Sequence, residues 1–198
     1  LTLWLWVRAE GASWIAFQAA LFNTTSLITG TGYASDDYTT WGSFAVVALF
    51  FVGLVGGCAG STSCSVKVFR YQLLFAAVSA QVRQIYSPSG VFTPRYDGRP
   101  VGQDVVDSVM SFFVVFLGTL VLLSVLLSMT GLDVVTSVSG AAAAIANIGP
   151  GLGPEIGPAE NYGSLNDTAK WLLSFGMLLG RLELMAVLVL FTRAFWRN

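Results

Sequence analysis

Apolar residues fall into long blocks along this chain, and polar residues collect in the breaks between them. No charged residue occurs from Tyr38 to Val66, and none from Ser108 to Leu132. Each block exceeds the roughly 20 residues that cross about 30 Å of hydrocarbon as a helix. Two further apolar stretches, Trp14–Ile28 and Val134–Ala146, are only about 22 and 20 Å long at helical rise, too short to cross comfortably. Each short stretch runs into a glycine-rich break, Thr29-Gly30-Thr31-Gly32-Tyr33 and Asn147-Ile148-Gly149-Pro150-Gly151. Non-helical backbone survives at membrane depth only where protein buries it or where it lines a watery cavity.

The remaining elements follow from the same pattern. Leu1–Val7 reads as the tail of a spanning helix, so the chain is expected to be a piece of a longer protein. Ser13 is the expected N-cap of the first short helix, whose centre carries Asn23, Thr24, Thr25 and Ser26. A helix is expected from about Trp41 to Val55, broken by ten small residues and resumed from Val66 to about Val82. Pro88, Gly90, Pro94, Gly98 and Pro100 punctuate the next loop. A spanning helix follows from Asp104 to about Thr130, and a last one from Asp167 to Phe195. The boundaries are thus 1–82 for a first unit, 83–103 for a linker and 104–198 for a second unit. Both units follow one plan: short helix, glycine break, acidic loop, long helix. Phe51–Gly57 can be laid over Phe175–Arg181, with Trp41 and Trp171 upstream. Repeats in one orientation, each with a half-crossing helix, point to ion-channel architecture rather than an inverted transporter repeat. The expected fold is an all-α integral membrane protein.

Composition agrees with a bilayer. Hydrophobic residues make up 55% and charged residues 11%, with a mean hydropathy of +0.70; soluble domains carry about 25% charge. Lys67, Arg70, Arg83, Arg95 and Arg99 share one inter-helix region, and Arg193 and Arg197 lie near the C-terminus, whereas Asp36, Asp37, Glu155, Glu160 and Asp167 occupy the other loops. Positive residues mark the cytoplasmic side, so both basic regions, the C-terminus included, are expected there. Nucleic-acid binding would want such bases interleaved with aromatics on a folded surface, and nucleic acid is not expected as a partner. With no histidine, no paired catalytic carboxylates and no nucleophile–base set, an intramembrane enzyme is disfavoured, and no cofactor is expected.

Three groups of residues carry the candidate chemistry. The first is the two breaks, Thr29, Gly30, Thr31, Gly32 and Tyr33 with Asn147, Ile148, Gly149, Pro150 and Gly151. A potassium ion must exchange its water shell for oxygens, and glycine lets backbone carbonyls turn toward an axis. Thr31, Gly32, Ile148 and Gly149 are the expected potassium sites. An ordinary interhelical turn is the plainer alternative. The second group is the small-residue run Gly56, Gly57, Cys58, Ala59, Gly60, Ser61, Thr62, Ser63, Cys64 and Ser65, too long for a simple kink and suited to a segment that moves. The third is Arg181 with Glu183, charges in the middle of an apolar helix, where charge is costly and normally functional. A structural interhelical ion pair is the alternative there. Arg181 meeting the carbonyls of the small-residue run would make a gate.

Thr29–Ala34, Gly56–Arg70 (GGCAGSTSCSVKVFR), Asn147–Pro154 (NIGPGLGP) and Gly176–Leu184 (GMLLGRLEL) together resemble the TrkH-type potassium-uptake subunits of the Trk/Ktr/HKT superfamily. The resemblance implies four linked repeats of helix, pore helix, selectivity filter and helix, of which this chain is similar to the third, lacking most of its first helix, and the fourth. It implies that Gly32 and Gly149 are filter glycines, that Gly56–Ser65 is an intramembrane gating loop, and that Arg181 pins that loop. It further implies potassium as substrate, the two remaining pore repeats, a homodimer and a cytoplasmic nucleotide-binding regulatory ring as partners, and the bacterial inner membrane as location. A sodium-conducting or sodium/potassium symport relative and a non-conducting structural subunit are the alternatives. Gly30 and Thr31 depart from the two hydroxyl residues of many relatives, and Cys64 from a glycine.

Overall fold

The computed structural model describes residues 1–8, 14–58 and 65–182, with Val187, Val189, Phe195 and Trp196. Seven helices account for most of them: α1 (Thr2–Arg8), α2 (Trp14–Thr29), α3 (Ser43–Leu54), α4 (Val68–Tyr86), α5 (Gln103–Ser128), α6 (Val134–Ala146) and α7 (Asp167–Arg181). Among the described residues, α5 alone is both long and apolar enough to cross a membrane. Its 26 residues reach about 39 Å. Phe112, Phe116, Leu123 and Leu127 turn inward, while Val114, Leu117, Val121 and Val125 stay exposed on the other side. A helix apolar all round is what a lipid-facing span requires.

Helix α6 is the centre of the structure. Every residue from Ser139 to Ala146 is buried, because four consecutive alanines let its neighbours come close. Ala141, Ala144 and Ile145 meet α5 and α7, with Leu173 and Ala169 on the latter. Ala146 and Ile148 join a second cluster with Leu27, Tyr38, Trp41, Ala45 and Leu49. On α7, Gly176 and Gly180 stand four apart and face α6. A methyl on Gly176 would lie 2.6 Å from Leu123 Cδ2 and 3.3 Å from Ala144 Cβ, and one on Gly180 would overlap the carbonyl oxygen of Ile145. Lipid tails are as apolar as leucine, so association in a bilayer rests on this close packing.

The structure departs from the all-α expectation in two places. Val55–Gly56 (β1) pairs in parallel with Val66–Lys67 (β2), in register Val55↔Val66 and Gly56↔Lys67. The pairing joins the end of α3 to the start of α4 and occupies backbone groups that would otherwise lack partners. Arg95–Tyr96 (β3) and Arg99–Pro100 (β4) form an antiparallel hairpin around Asp97 and Gly98, both with left-handed backbone. Helix α4 runs on to Tyr86, past the expected end near Val82, with Arg83 in its last turn, where a cation suits the helix dipole. It ends just before Pro88, and Trp41 lies in a short 3-10 turn rather than in α3. Ser13, Ala59, Gly60, Ser61, Thr62, Ser63, Cys64 and Glu183 lie outside the described residues, as does most of the helix expected beyond Arg181.

Candidate functional site

Helices α2 and α6 end in the same way. After α2, Gly30 takes a left-handed conformation (φ 69°) and the N–H of Thr31 donates to the Ser26 carbonyl (2.9 Å). After α6, Asn147 takes it (φ 52°, ψ 43°) and the N–H of Ile148 donates to the Ala143 carbonyl (3.1 Å). Both are the left-handed cap that satisfies the orphan carbonyls of a helix C-terminus. Gly32 (φ 78°) and Gly149 (φ 110°) then turn left-handed two residues further on. The equivalences Gly30 with Asn147, Thr31 with Ile148 and Gly32 with Gly149 follow from backbone geometry alone.

The two turns abut. A methyl on Gly32 would overlap the carbonyl oxygen of Ile148 and lie 3.3 Å from Pro150 Cδ; one on Gly149 would lie 3.3 Å from Gly32 Cα and 3.8 Å from Gly32 O; one on Gly30 would lie 3.5 Å from the Asn147 oxygen. The structure therefore brings Gly30, Gly32, Asn147, Ile148, Gly149 and Pro150 together, with the backbone oxygens of Gly32, Asn147 and Ile148 and the Pro150 ring at the contact. Thr29 belongs to α2 as its last residue, and its hydroxyl donates back to the Thr25 carbonyl (2.8 Å) and pairs with the Thr31 hydroxyl (2.7 Å). Tyr33 is exposed. The negative ends of both helix dipoles point at these turns, which favours a cation there. Among the described residues, no three His, Cys, Asp or Glu side chains converge on a metal.

Polar residues inside the short helices brace the outgoing segments. The Asn23 amide, 1% exposed, donates to Ser35 Oγ (3.0 Å), and its oxygen accepts from Ser35 N–H (3.2 Å). Ser139 Oγ accepts from Leu152 N–H (2.8 Å) and donates to the Leu152 carbonyl (2.9 Å). Asn147 Nδ2 donates to the Met177 carbonyl (3.0 Å), tying the second turn to α7. The sequence reading missed Ser139 and the Gly176–Gly180 pair. Their signals were a lone serine beside an alanine run and a small-x-x-x-small spacing.

Beyond each turn the chain forms a 3-10 turn, Tyr38–Trp41 and Tyr162–Ser164, capped by Asp37 and Asn161. Asp37 Oδ1 accepts from Thr39 N–H (3.0 Å) and Asn161 Oδ1 from Gly163 N–H (2.8 Å). The register that lays Phe51–Gly57 over Phe175–Arg181 carries Tyr38 onto Tyr162, Ala45 onto Ala169 and Leu49 onto Leu173, and these last four are fully buried. It carries Trp41 onto Leu165 rather than onto Trp171. Trp41 is 7% exposed, Leu165 4% and Trp171 77%, so the two tryptophans are not counterparts. Tyr162 donates its hydroxyl to the Gly149 carbonyl (2.5 Å). Burial pushes its phenol up to about 12. Tyr38 is pushed to the same value by burial first and then by the neighbouring Tyr162 and Asp37.

Of the expected gate, Gly56 lies in β1, Gly57 and Cys58 follow it, and Ser65 precedes β2. Ser65 has a left-handed backbone (φ 65°), and its hydroxyl is shared between the carbonyls of Gly53 (2.8 Å) and Ala146 (3.2 Å). It thereby ties the end of the small-residue run to the last residue of α6. Arg181 closes α7, next to the Gly180–Ile145 contact.

Residues 12–197 match the family model TrkH, described as cation transport protein. The chain is 48% identical over 199 residues to the Trk system potassium uptake protein TrkI of Halomonas elongata, covering all of this chain and 40% of that protein. It is 39% identical over 183 residues to the Trk system potassium uptake protein TrkH of Vibrio parahaemolyticus, covering 92% of this chain and 37% of that one. The crystal structure of the potassium transporter TrkH from Vibrio parahaemolyticus superposes with a TM-score of 0.90 at 38% identity, over 99% of this chain and 42% of that one. The chain thus spans about two fifths of the relatives' length, and its helical fold is that of a membrane transporter. It belongs to the TrkH family of cation transport proteins.

Proposed function

We propose that this chain forms half of a potassium-conducting pore, with residues 1–82 as the third helix–pore helix–filter–helix repeat, 83–103 as a cytoplasmic linker and 104–198 as the fourth. The observation that carries the reading is the pair of left-handed glycine turns, built by one cap geometry on two short helices and abutting through backbone oxygens. Thr29–Tyr33 and Asn147–Gly151 are the filter segments. A potassium ion leaves its water shell for their carbonyls, with Thr31, Gly32, Ile148 and Gly149 supplying the oxygens and the α2 and α6 dipoles favouring the bare cation. Below the filter, Gly56–Ser65 and Arg181 form the gate; the bond from Ser65 to the Ala146 carbonyl supports a loop anchored at the filter base. Two further repeats complete the pore. The working assembly is a homodimer in a bacterial inner membrane, C-terminus cytoplasmic, with a cytoplasmic nucleotide-binding ring as regulator. The potassium-uptake names of the relatives support the choice of ion.

The test is Gly32→Ser in the full-length protein, reconstituted in liposomes, with potassium uptake measured against competing sodium. The serine must hold a left-handed backbone, at about 1–2 kcal/mol, and displace the Ile148 carbonyl. Potassium-over-sodium preference should fall by about tenfold, since ~1.4 kcal/mol corresponds to that factor. An unchanged preference at undiminished uptake would remove Gly32 from the filter.

A further inference from the structure

Tyr162 is a partly buried phenol in the loop that follows the second candidate filter segment, and neither the proposed ion sites nor the proposed gate uses it. We propose that Tyr162 is a positioning residue of the filter, whose hydroxyl fixes the direction of the Gly149 carbonyl and so helps to set discrimination between potassium and sodium. The proposal rests on reading Asn147–Gly151 as a filter segment.

The peptide between Gly149 and Pro150 has unusually few anchors of its own. Gly149 has no side chain and a φ of 110°, in a region where only glycine moves without strain. Pro150 contributes no N–H to that peptide, so its plane cannot be held by a donated backbone bond. What bonds the carbonyl is the phenol of Tyr162, at 2.5 Å, the short end of the range for O–H···O. Carbonyl oxygen carries two lone pairs, and the tyrosine takes one of them, leaving a single direction in which the other is offered.

The tyrosine is itself well held. Its 3-10 turn is capped by Asn161, the Gly163 carbonyl accepts from Lys170 Nζ (3.0 Å), and its ring packs against the cluster shared by α5, α6 and α7. Its phenol, pushed up by burial, remains a donor throughout the physiological range. The arrangement is confined to one half of the site. Tyr38 occupies the equivalent turn, yet among the described residues no side chain bonds the Gly32 carbonyl.

The experiment replaces Tyr162 by Phe in the full-length protein and measures uptake of potassium against competing sodium in liposomes at matched protein amount. A hydroxyl–carbonyl bond lost from one filter oxygen should lower the preference by about three- to tenfold, with the protein still taking up potassium. Tyr71→Phe is the comparison, because the Tyr71 hydroxyl also donates to a carbonyl, that of Leu54 at 3.3 Å, which is not one of the filter oxygens; its preference should not change. Para-aminophenylalanine at position 162 keeps a donor on the same ring and should restore the preference. If the Phe variant does not fold, para-fluorophenylalanine, which fills the hydroxyl's space without a donor, takes its place: a lowered preference supports the donor role, and an unchanged one overturns it. If Gly32→Ser lowers the preference while Tyr162→Phe does not, the role of Tyr162 is overturned and the filter reading stands. If neither variant changes it, both fall.

Discussion

Placing an alanine at Gly180 tests how the candidate site is supported. Helix α7 lies on α6 through Gly176 and Gly180, and the space at the two positions differs in kind. At Gly176 the nearest atom to an added methyl is Leu123 Cδ2, at 2.6 Å, the free end of a side chain that can rotate away. At Gly180 the obstacle is the backbone carbonyl of Ile145, in the last turn of the helix that leads into Asn147. That carbonyl cannot move without moving the end of α6, so α7 must withdraw as a body. Withdrawal also lengthens the bond from Asn147 Nδ2 to the Met177 carbonyl.

Overpacking a fitted interface costs about 1–3 kcal/mol, and replacing a helical glycine by alanine returns about 0.8–1 kcal/mol. Gly118 on α5 has no atom within 4 Å of an added methyl among the described residues, so Gly118→Ala should show only the gain. Gly176→Ala should come out near zero, since a rotated leucine offsets that gain. Gly180→Ala should lose about 2 kcal/mol, the upper part of the overpacking range less the helix gain, and should also reduce potassium uptake. Thermal unfolding of the full-length protein in detergent, paired with uptake in liposomes, gives the order. The reasoning is refuted if Gly180→Ala unfolds no earlier than Gly118→Ala and transports as well.

Arg181→Ala should raise basal potassium flux in liposomes and weaken dependence on a cytoplasmic activator, while Lys, which keeps charge but lacks the planar fork, should restore closure in part; loss of transport in folded protein would contradict the gate. Asp133 caps α6 through the N–H groups of Val135 (3.2 Å) and Thr136 (3.4 Å), and the Thr136 hydroxyl beside it, with these backbone groups, holds its carboxyl below the usual range. Asp133→Ala should therefore lower stability by about 1 kcal/mol and Asp133→Asn by much less. Because the folded-state value is depressed, the carboxylate's contribution is present above the ordinary carboxylate range and lost as pH falls through the lowered value; thermal unfolding at pH 7 and at pH 3 checks both.

Some of this was legible in the sequence, for identifiable reasons. The span of α6 could be read from its alanine run, and its end from Asn147 followed by Gly149 and Pro150, residues that tolerate or impose non-helical backbone. Gly30 and Gly32 announced the first turn in the same way. Pairings across the fold were hidden. Nothing local connects Tyr162 to Gly149 thirteen positions earlier, because the loop between them carries glycine and proline without periodicity. Trp41 and Trp171 misled as landmarks, since one lies inside a cluster with Tyr38 and Leu49 and the other faces outward. Residue type matched while environment did not, whereas Ala45 with Ala169 and Leu49 with Leu173 agree in both type and burial.

The two turns share a backbone shape but are not braced alike, and the difference follows from one residue. At the left-handed cap, glycine and asparagine are the two residues the conformation readily admits. Glycine at position 30 leaves that turn without a side chain and gives the Asn147 oxygen room at 3.5 Å from where a methyl would stand. Asparagine at position 147 brings an amide, which a weakly polar interior obliges to find a partner, and it finds the Met177 carbonyl. The second segment is thus held at Asn147 by α7, at Gly149 by Tyr162 and at Leu152 by Ser139. The first is held by Asn23 at Ser35 and by the Thr29–Thr31 hydroxyl pair. Glycine at the first cap where the second has asparagine, and no counterpart of Pro150, leave the first backbone with more conformational freedom and fewer bonds to restrain it, so the stiffer wall of the site is the one built on α6.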